Sequence, residues 1–395
     1  MESQPTIEPR LPSQSNWIKF EEIKSSENQV CFGGSEYPLY SDVQVYGELA
    51  SGLGPYQILN ANAFDTVKSG GIVLTLRGFI FEDLDFHRST LKDLKTDTKL
   101  YHGGHLAEEI TSLVSLGLGI RLKSGDSNRR FDGSDPYGRF NAHRWSPTPS
   151  IGLSLGQPII PMPEYVTIEG IRPRLESIPK LKASLYVELV RAARAYQDAL
   201  WISESEPHIA WLLFISALEI VANAHLSHKG TPTDNLKELK PNLAEILSNT
   251  GGDELLDAVA EDLKALFGAT KKFLSMCEIF MPPPPPTRPS LEWMRLEWEW
   301  SSMKKILNTV YGLRSKALHA GVPFPAPMCQ SPYKWQDNLV PAERAITSLA
   351  MSTRNGKWVP DDAPIALHTF NHIVRGILLA WWDEIAGVDD NSLAV

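Results

Sequence analysis

Between Val310 and Gly321 the chain reads VYGLRSKALHAG, the end of a helical pattern that gathers Arg314, Ser315, Lys316 and His319 into a few residues. Ile306, Val310, Leu313 and Ala317 recur three or four residues apart and form an apolar stripe able to face a core. Arg314 and His319 fall off that stripe. Five residues of regular helix correspond to ~7.5 Å of rise and roughly 140° of rotation, so one rigid helix does not aim both side chains at one atom. Ser315 and His319, four apart, share a face. Gly321 reads as the helix stop, with Pro323 and Pro325 beyond it. His319 therefore lies in the last turn, where the carbonyl end of the helix favours an imidazolium. Arg314 is permanently charged and forked, which suits a phosphate held through two bonds.

Upstream of this stretch, LEWMRLEWEWSSMKKILNTVYGLRSKALHAG reads as one long helix. Before it, MPPPPPTRPS forces an extended segment, because consecutive prolines donate nothing to a helical ladder. NLKELKPNLAEILSN and DELLDAVAEDLKALFGATKKFLSMCEIF are helical, and PIALHTFNHIVRGILLAWWDEIAG closes the chain as another helix. In LKASLYVELVRAARAYQDALWIS, Leu185, Leu189, Ala192, Tyr196 and Leu200 share one stripe. Ser205, ahead of Glu206 and Pro207, is placed to cap the next helix. That helix is nearly apolar from His208 to Ala224, but Ser216, Glu219 and Asn223 interrupt it, so it reads as a buried core helix rather than a membrane span.

The texture differs before about residue 175. GGIVLTLRGFIF, Gly70 to Phe81, is rich in β-branched and aromatic residues and reads as a strand, with SDVQVYGEL and EYVTIEGI as shorter candidates. Leu106, Ile110, Val114 and Leu118 recur at helical spacing in GGHLAEEITSLVSLGLGIRL, and the polar KSGDSNRRFDGSDPYGRF after it reads as a loop. In that loop Asp126, Asp132 and Asp135 offset Arg129, Arg130 and Arg139. The expected organisation is an α+β sensor or regulatory domain over residues 1–175, opening on a polar, disordered tail, followed by an all-α helical-bundle domain over 176–395.

A chain of 395 residues is long enough for two cores. Its formal net charge of −9 opposes charge-driven coating of nucleic acid or anionic membrane, so any nucleic-acid role needs a local basic site. Cys31, Cys277 and Cys329 are far apart and form no CxxC pair, which supports neither a disulfide framework nor a zinc site and suits a reducing, cytoplasmic compartment. No strand–GxGxxG–helix fingerprint, P-loop or GxSxG elbow occurs, and no cofactor or metal is expected. His368 and His372 stand four apart but lack the zincin glutamate, Thr369 following the first of them, and read as packing or capping residues. His102 and His105 flank a glycine pair before a helix and read as structural. Trp293, Trp298 and Trp300 could stack on unpaired bases, with burial in a core or dimer seam the favoured reading.

RNA can be cut without metal when its 2′-hydroxyl attacks the adjacent phosphate. The reaction needs a base, an acid and positive charge around the phosphorane. Two copies of the Val310–Gly321 helix end, facing each other in a two-fold dimer, would supply two histidines and two arginines. RSKALH matches the Arg-x4-6-His pattern of the HEPN domains (higher eukaryotes and prokaryotes nucleotide-binding), and VYGLRSKALHAG with the upstream WLLFISALEIVAN resembles the Apea-like branch. The branch often has His-Gly where this chain has Ala320 between His319 and Gly321. The resemblance covers the chain from about residue 180 onward. It implies a homodimeric helical bundle that is a metal-independent endoribonuclease, of the kind found in prokaryotic antiphage defence and toxin–antitoxin systems. By position it makes Arg314 and His319 the catalytic pair, with Ser315, Lys316, Tyr311 and Glu219 positioning the RNA. An antitoxin or a phage-derived trigger would be the further partner, and no membrane is implied. The competing reading is a non-catalytic HEPN module that dimerises and binds RNA, nucleotide or a protein. A third is a regulatory subunit whose N-terminal domain recognises a phage component.

Overall fold

The computed structural model of the chain describes residues 9–24, 31–61, 70–81, 96–132, 135–142, 146–152, 156–226, 231–335, 340–347 and 356–387. The chain forms two compact units. One comprises Met1–Leu155, Pro161–Ser205 and Trp382–Val395, the other Gly156–Ile160 and Glu206–Trp381. The helical texture begins near residue 175, whereas the division between the units falls between Ser205 and Glu206.

The first unit begins with helix α1 (Pro12–Lys24), followed by strands β1 (Gly33–Ser41), β2 (Gln44–Tyr46), β3 (Leu49–Leu53), β4 (Tyr56–Asn60) and β5 (Gly71–Ile80). Helix α2 (Leu106–Leu118), strands β6 (Lys123–Ser124), β7 (Arg129–Asp132), β8 (Asp135–Phe140) and β9 (Tyr165–Thr167), and helices α3 (Arg172–Glu176) and α4 (Ala183–Ile202) complete it. The main sheet runs β3-β4-β5-β1-β7-β8 with antiparallel pairings, β6 also pairs with β1, and β2 pairs with β9 in parallel. Alternation sorts the faces. Leu74, Leu76 and Gly78 of β5 are buried beside Tyr56 and Ile58 of β4, while Arg77 turns the other way and donates to Glu36 through Nε at 2.8 Å. Helix α2 covers the buried face: a Cβ on Gly78 would stand 3.9 Å from Leu106. Helix α2 is buried on nearly every side, including Glu109, Thr111, Ser112 and Ser115. Burial at that density needs the carboxylate satisfied. Glu109 accepts from the Ser13 N–H at 2.9 Å and bonds His102 Nε2 at 3.0 Å.

Two stretches read as irregular carry regular structure. The chain is expected to open on a polar, disordered tail. Residues 1–8 lie outside the described residues, but Pro12 onward is α1, with Ser13, Gln14, Asn16 and Trp17 buried. Gln14 donates to the Ile178 and Leu181 carbonyls and Asn16 to Tyr56, so polar residues are drawn inside as hydrogen-bond partners. The polar stretch after α2 is also more than a loop, since β7 pairs with both β1 and β8. It lacks an alternating apolar pattern because much of this strand pair stays exposed, with Phe131 the buried residue of β7.

The second unit contains helices α5 (Pro207–His225), α6 (Pro232–Leu239), α7 (Pro241–Phe280), α8 (Trp300–Ala320) and most of α9 (Leu367–Ala386). Helix α7 kinks at Gly251 and Gly252, the latter at φ 68°. Trp211 of α5 stacks on Phe324 at 5.3 Å and on Phe370 at 4.7 Å, and its indole donates to the Met328 carbonyl at 3.2 Å. Among the described residues α5 is the one helix long and apolar enough to cross a membrane. Ala210, Trp211, Phe214, Ile215, Ala217, Leu218, Val221 and Ala222 are buried within the unit, which identifies α5 as a core helix. Ser205 does not cap it: Glu206 is the cap residue, and the Ser205 hydroxyl turns back to the Ile202 carbonyl. The prolines from 282 to 286 are outside any helix, as expected.

The helix leading to the opening motif is shorter than its pattern. It starts at Trp300, not at Leu291, because tertiary partners take the backbone groups a helix would need. The Leu296 N–H donates to the buried Glu343 carboxylate at 2.6 Å, and the Leu296 carbonyl accepts from Arg288. The Met294 and Arg295 carbonyls accept from the Glu343 N–H and Arg344 Nε.

Candidate functional site

The buried line of α8 runs through Met303, Leu307, Val310 and Tyr311, while Ile306, Leu313 and Ala317 are only half-buried. Tyr311 displaces the expected stripe because its ring packs on Phe273 of α7 at 4.9 Å and its hydroxyl reaches Glu219 of α5. Arg314, three residues on, lies on the same side of the helix. Glu219 accepts from both: from the Tyr311 hydroxyl at 2.7 Å and from Arg314 Nη2 at 2.8 Å. The Arg314 guanidinium carbon also sits 5.6 Å from the centre of the Tyr311 ring. Burial, followed by the hydrogen bond to and charge of Glu219, pushes the Tyr311 hydroxyl well above the usual tyrosine range, so it remains a donor.

The structure thus brings Tyr311, Arg314 and Glu219 together. Arg314 Nε and Nη1 donate to no acceptor among the described residues. His319 does not join the cluster. The helix is regular to Ala320, where Gly321 ends it in the left-handed conformation at φ 65° and donates to the Lys316 carbonyl. His319, Ser315 and Lys316 are exposed, and His319 makes no hydrogen bond among the described residues. Leu318 and Val322 beside them are each 51% exposed.

The other histidines singled out in the sequence, His102, His105, His368 and His372, stand in structural settings. His372 Nε2 bonds the Pro283 carbonyl at 2.9 Å and helps hold the proline segment. His368 is pushed down to about 4, chiefly by burial, with Glu343 opposing. His105 is the N-cap of α2, its N–H donating to Glu108 at 2.9 Å, and His102 serves Glu109. No group of three or more His, Cys, Asp or Glu that could hold a metal ion occurs among the described residues.

Two features were missed in the sequence. Cys329 Sγ lies 3.3 Å from His208 Nδ1. This is no nucleophile–base pair, since burial raises the thiol to about 12 and keeps it protonated at neutral pH. Trp293 is 50% exposed rather than buried in a core and touches Tyr333 and Trp335, whereas Trp298 donates its indole N–H to the Pro282 carbonyl. Nothing in the local spacing links Trp293 to residues 40 positions on; only the chain's return past Cys329 does.

Comparison with known protein families, with curated proteins and with solved structures finds no match to this chain.

Proposed function

We propose that this chain is a cytoplasmic, metal-independent endoribonuclease of the HEPN type, a prokaryotic antiphage-defence or toxin effector that cuts RNA at a site shared between two copies. The observation that carries the reading is the division of labour along α8. Arg314 is held at a fixed place by Glu219 and Tyr311, while Ser315, Lys316 and His319 stand free on the outer face. A two-fold copy packed there, with Leu318 and Val322 supplying apolar contact, would place two histidines around one phosphate. One imidazole takes the proton of the RNA 2′-hydroxyl as its oxygen attacks phosphorus. The imidazolium of the second copy gives a proton to the departing 5′-oxygen, leaving a 2′,3′-cyclic phosphate. Arg314 stabilises the phosphorane through Nε and Nη1, with Lys316 and Ser315 holding the neighbouring phosphate.

One observation favours a second reading. Glu219 already neutralises Arg314 and would oppose a phosphate there, which fits a non-catalytic module that dimerises and binds RNA, nucleotide or protein. Incubating the purified protein with total RNA in EDTA separates the two. Cleavage abolished by both Arg314→Ala and His319→Ala, with helicity unchanged, supports the nuclease. Absence of cleavage, or cleavage indifferent to both substitutions, leaves the binding module.

A further inference from the structure

A cavity of about 520 Å³ opens on the helical unit, and its lining includes neither Arg314 nor His319. Trp293, Pro327, Pro332 and Tyr333 form flat apolar walls, with Gln330 and Arg344 among the polar groups. Trp335 extends the aromatic surface, its ring 6.4 Å from that of Trp293 and 6.3 Å from that of Tyr333. Trp293, Tyr333 and Trp335 are 50%, 39% and 41% exposed, a concentration of large apolar rings at the surface that marks a contact site rather than a core. Arg344 is oriented by its Nε, which donates to the Arg295 carbonyl at 2.6 Å, and neither Nη has an acceptor among the described residues. Gln330 likewise leaves its amide without a partner among them.

These groups narrow the ligand. The rings alone would suit a quaternary ammonium, but Arg344 repels one. A purely apolar molecule would leave the guanidinium fork and the Gln330 amide unsatisfied. A planar aromatic ring bearing an anionic group satisfies all of them, and the cavity lies within the ~300–1,000 Å³ range of small-molecule sites. We propose that this cavity binds a mononucleotide. The base stacks on Trp293, the Tyr333 ring, tilted 44° to it, closes one side, the amide of Gln330 meets the base edge, and the Nη pair of Arg344 takes the phosphate. The site is independent of the chemistry assigned to Arg314 and His319.

Titration calorimetry of the full chain with 5′-AMP, GMP, CMP and UMP tests it, with adenosine and inorganic phosphate as controls. At least one nucleotide is expected to bind with a Kd below about 1 mM and more tightly than either control, and to quench indole fluorescence. Trp293→Ala and Arg344→Gln should each weaken binding at least about tenfold. Trp293→Phe should restore most of the stacking, and His319→Ala should change nothing, which separates this site from the nuclease proposal. A 5′-phosphorylated tetranucleotide distinguishes the source: tighter binding than the mononucleotide supports an RNA strand end, equal binding a free nucleotide. No binding by any of the four nucleotides overturns the proposal. So does binding that both substitutions leave intact in protein of unchanged circular dichroism.

Discussion

Substituting Glu219 tests whether the Tyr311–Arg314–Glu219 cluster is an energetic unit or an incidental contact. In Glu219→Ala the Tyr311 hydroxyl and Arg314 Nη2 both lose their acceptor. Hydrogen bonds to a charged group are worth about 1.5–3 kcal/mol each. The Arg314 side chain is 23% exposed and regains part of its loss from water, so the expected cost is about 2–3 kcal/mol rather than the full sum. Glu219→Gln should cost only about 1 kcal/mol. Its amide oxygen can accept from Arg314, and its NH2 can donate to the Tyr311 oxygen once the hydroxyl hydrogen rotates away. Tyr311→Phe should cost about 1–1.5 kcal/mol, because the ring keeps its packing on Phe273 and loses only the hydroxyl bond. Urea unfolding of the full chain, followed by far-ultraviolet circular dichroism and tryptophan fluorescence, reads these differences. The decisive comparison is Ala against Gln at position 219. Equal stabilities would mean that neither bond contributes, and the account of how Arg314 is held would fall.

The remaining predictions concern pH and packing. His368 has a folded value of about 4 against its usual 6.5, so the unfolded chain takes up its proton first as pH falls. Its contribution is present above about pH 6.5 and is lost as pH drops toward 4, a difference of at most on the order of 3 kcal/mol. His368→Leu should therefore flatten the pH dependence of the urea midpoint across that window, and an unchanged slope would contradict the assignment. A Cβ on Gly117 of α2 would stand 1.9 Å from the Ile171 side chain. Gly117→Ala is expected to destabilise the first unit by about 1–3 kcal/mol, despite alanine's better helix propensity, and a stabilised variant would refute that contact.

Much of the fold was legible where one face of an element is apolar. The β-branched run at Gly71–Ile80 and the helical stripes of α2 and α4 are each specified by local period. The misses share a cause. Strand β1 carries Pro38, which argues against a central strand, yet it lies between β5 and β7. The proline N falls on the side that faces β6 and β7, in the gap between their pairings with β1. There Gly125 N–H donates to the Pro38 carbonyl, and no strand pairing among the described residues uses the position of the missing N–H. Helix α8 starts late for a related reason: Glu343, far along the chain, takes the Leu296 N–H, and no pattern within residues 291–299 announces that partner.

The sequence by itself determined that a strand-rich region precedes a helical one, and that Arg314 and His319 diverge on a helix ended by Gly321, because periodicity and stop residues act within a few turns. Only the tertiary structure decided which polar groups are held and which are free. It tied Arg314 and Tyr311 to Glu219, left His319 exposed, and gathered Trp293, Tyr333 and Arg344 around one cavity. Those outcomes depend on hydrogen bonds and ring contacts between residues dozens of positions apart, and the chain must close on itself before any of them exists.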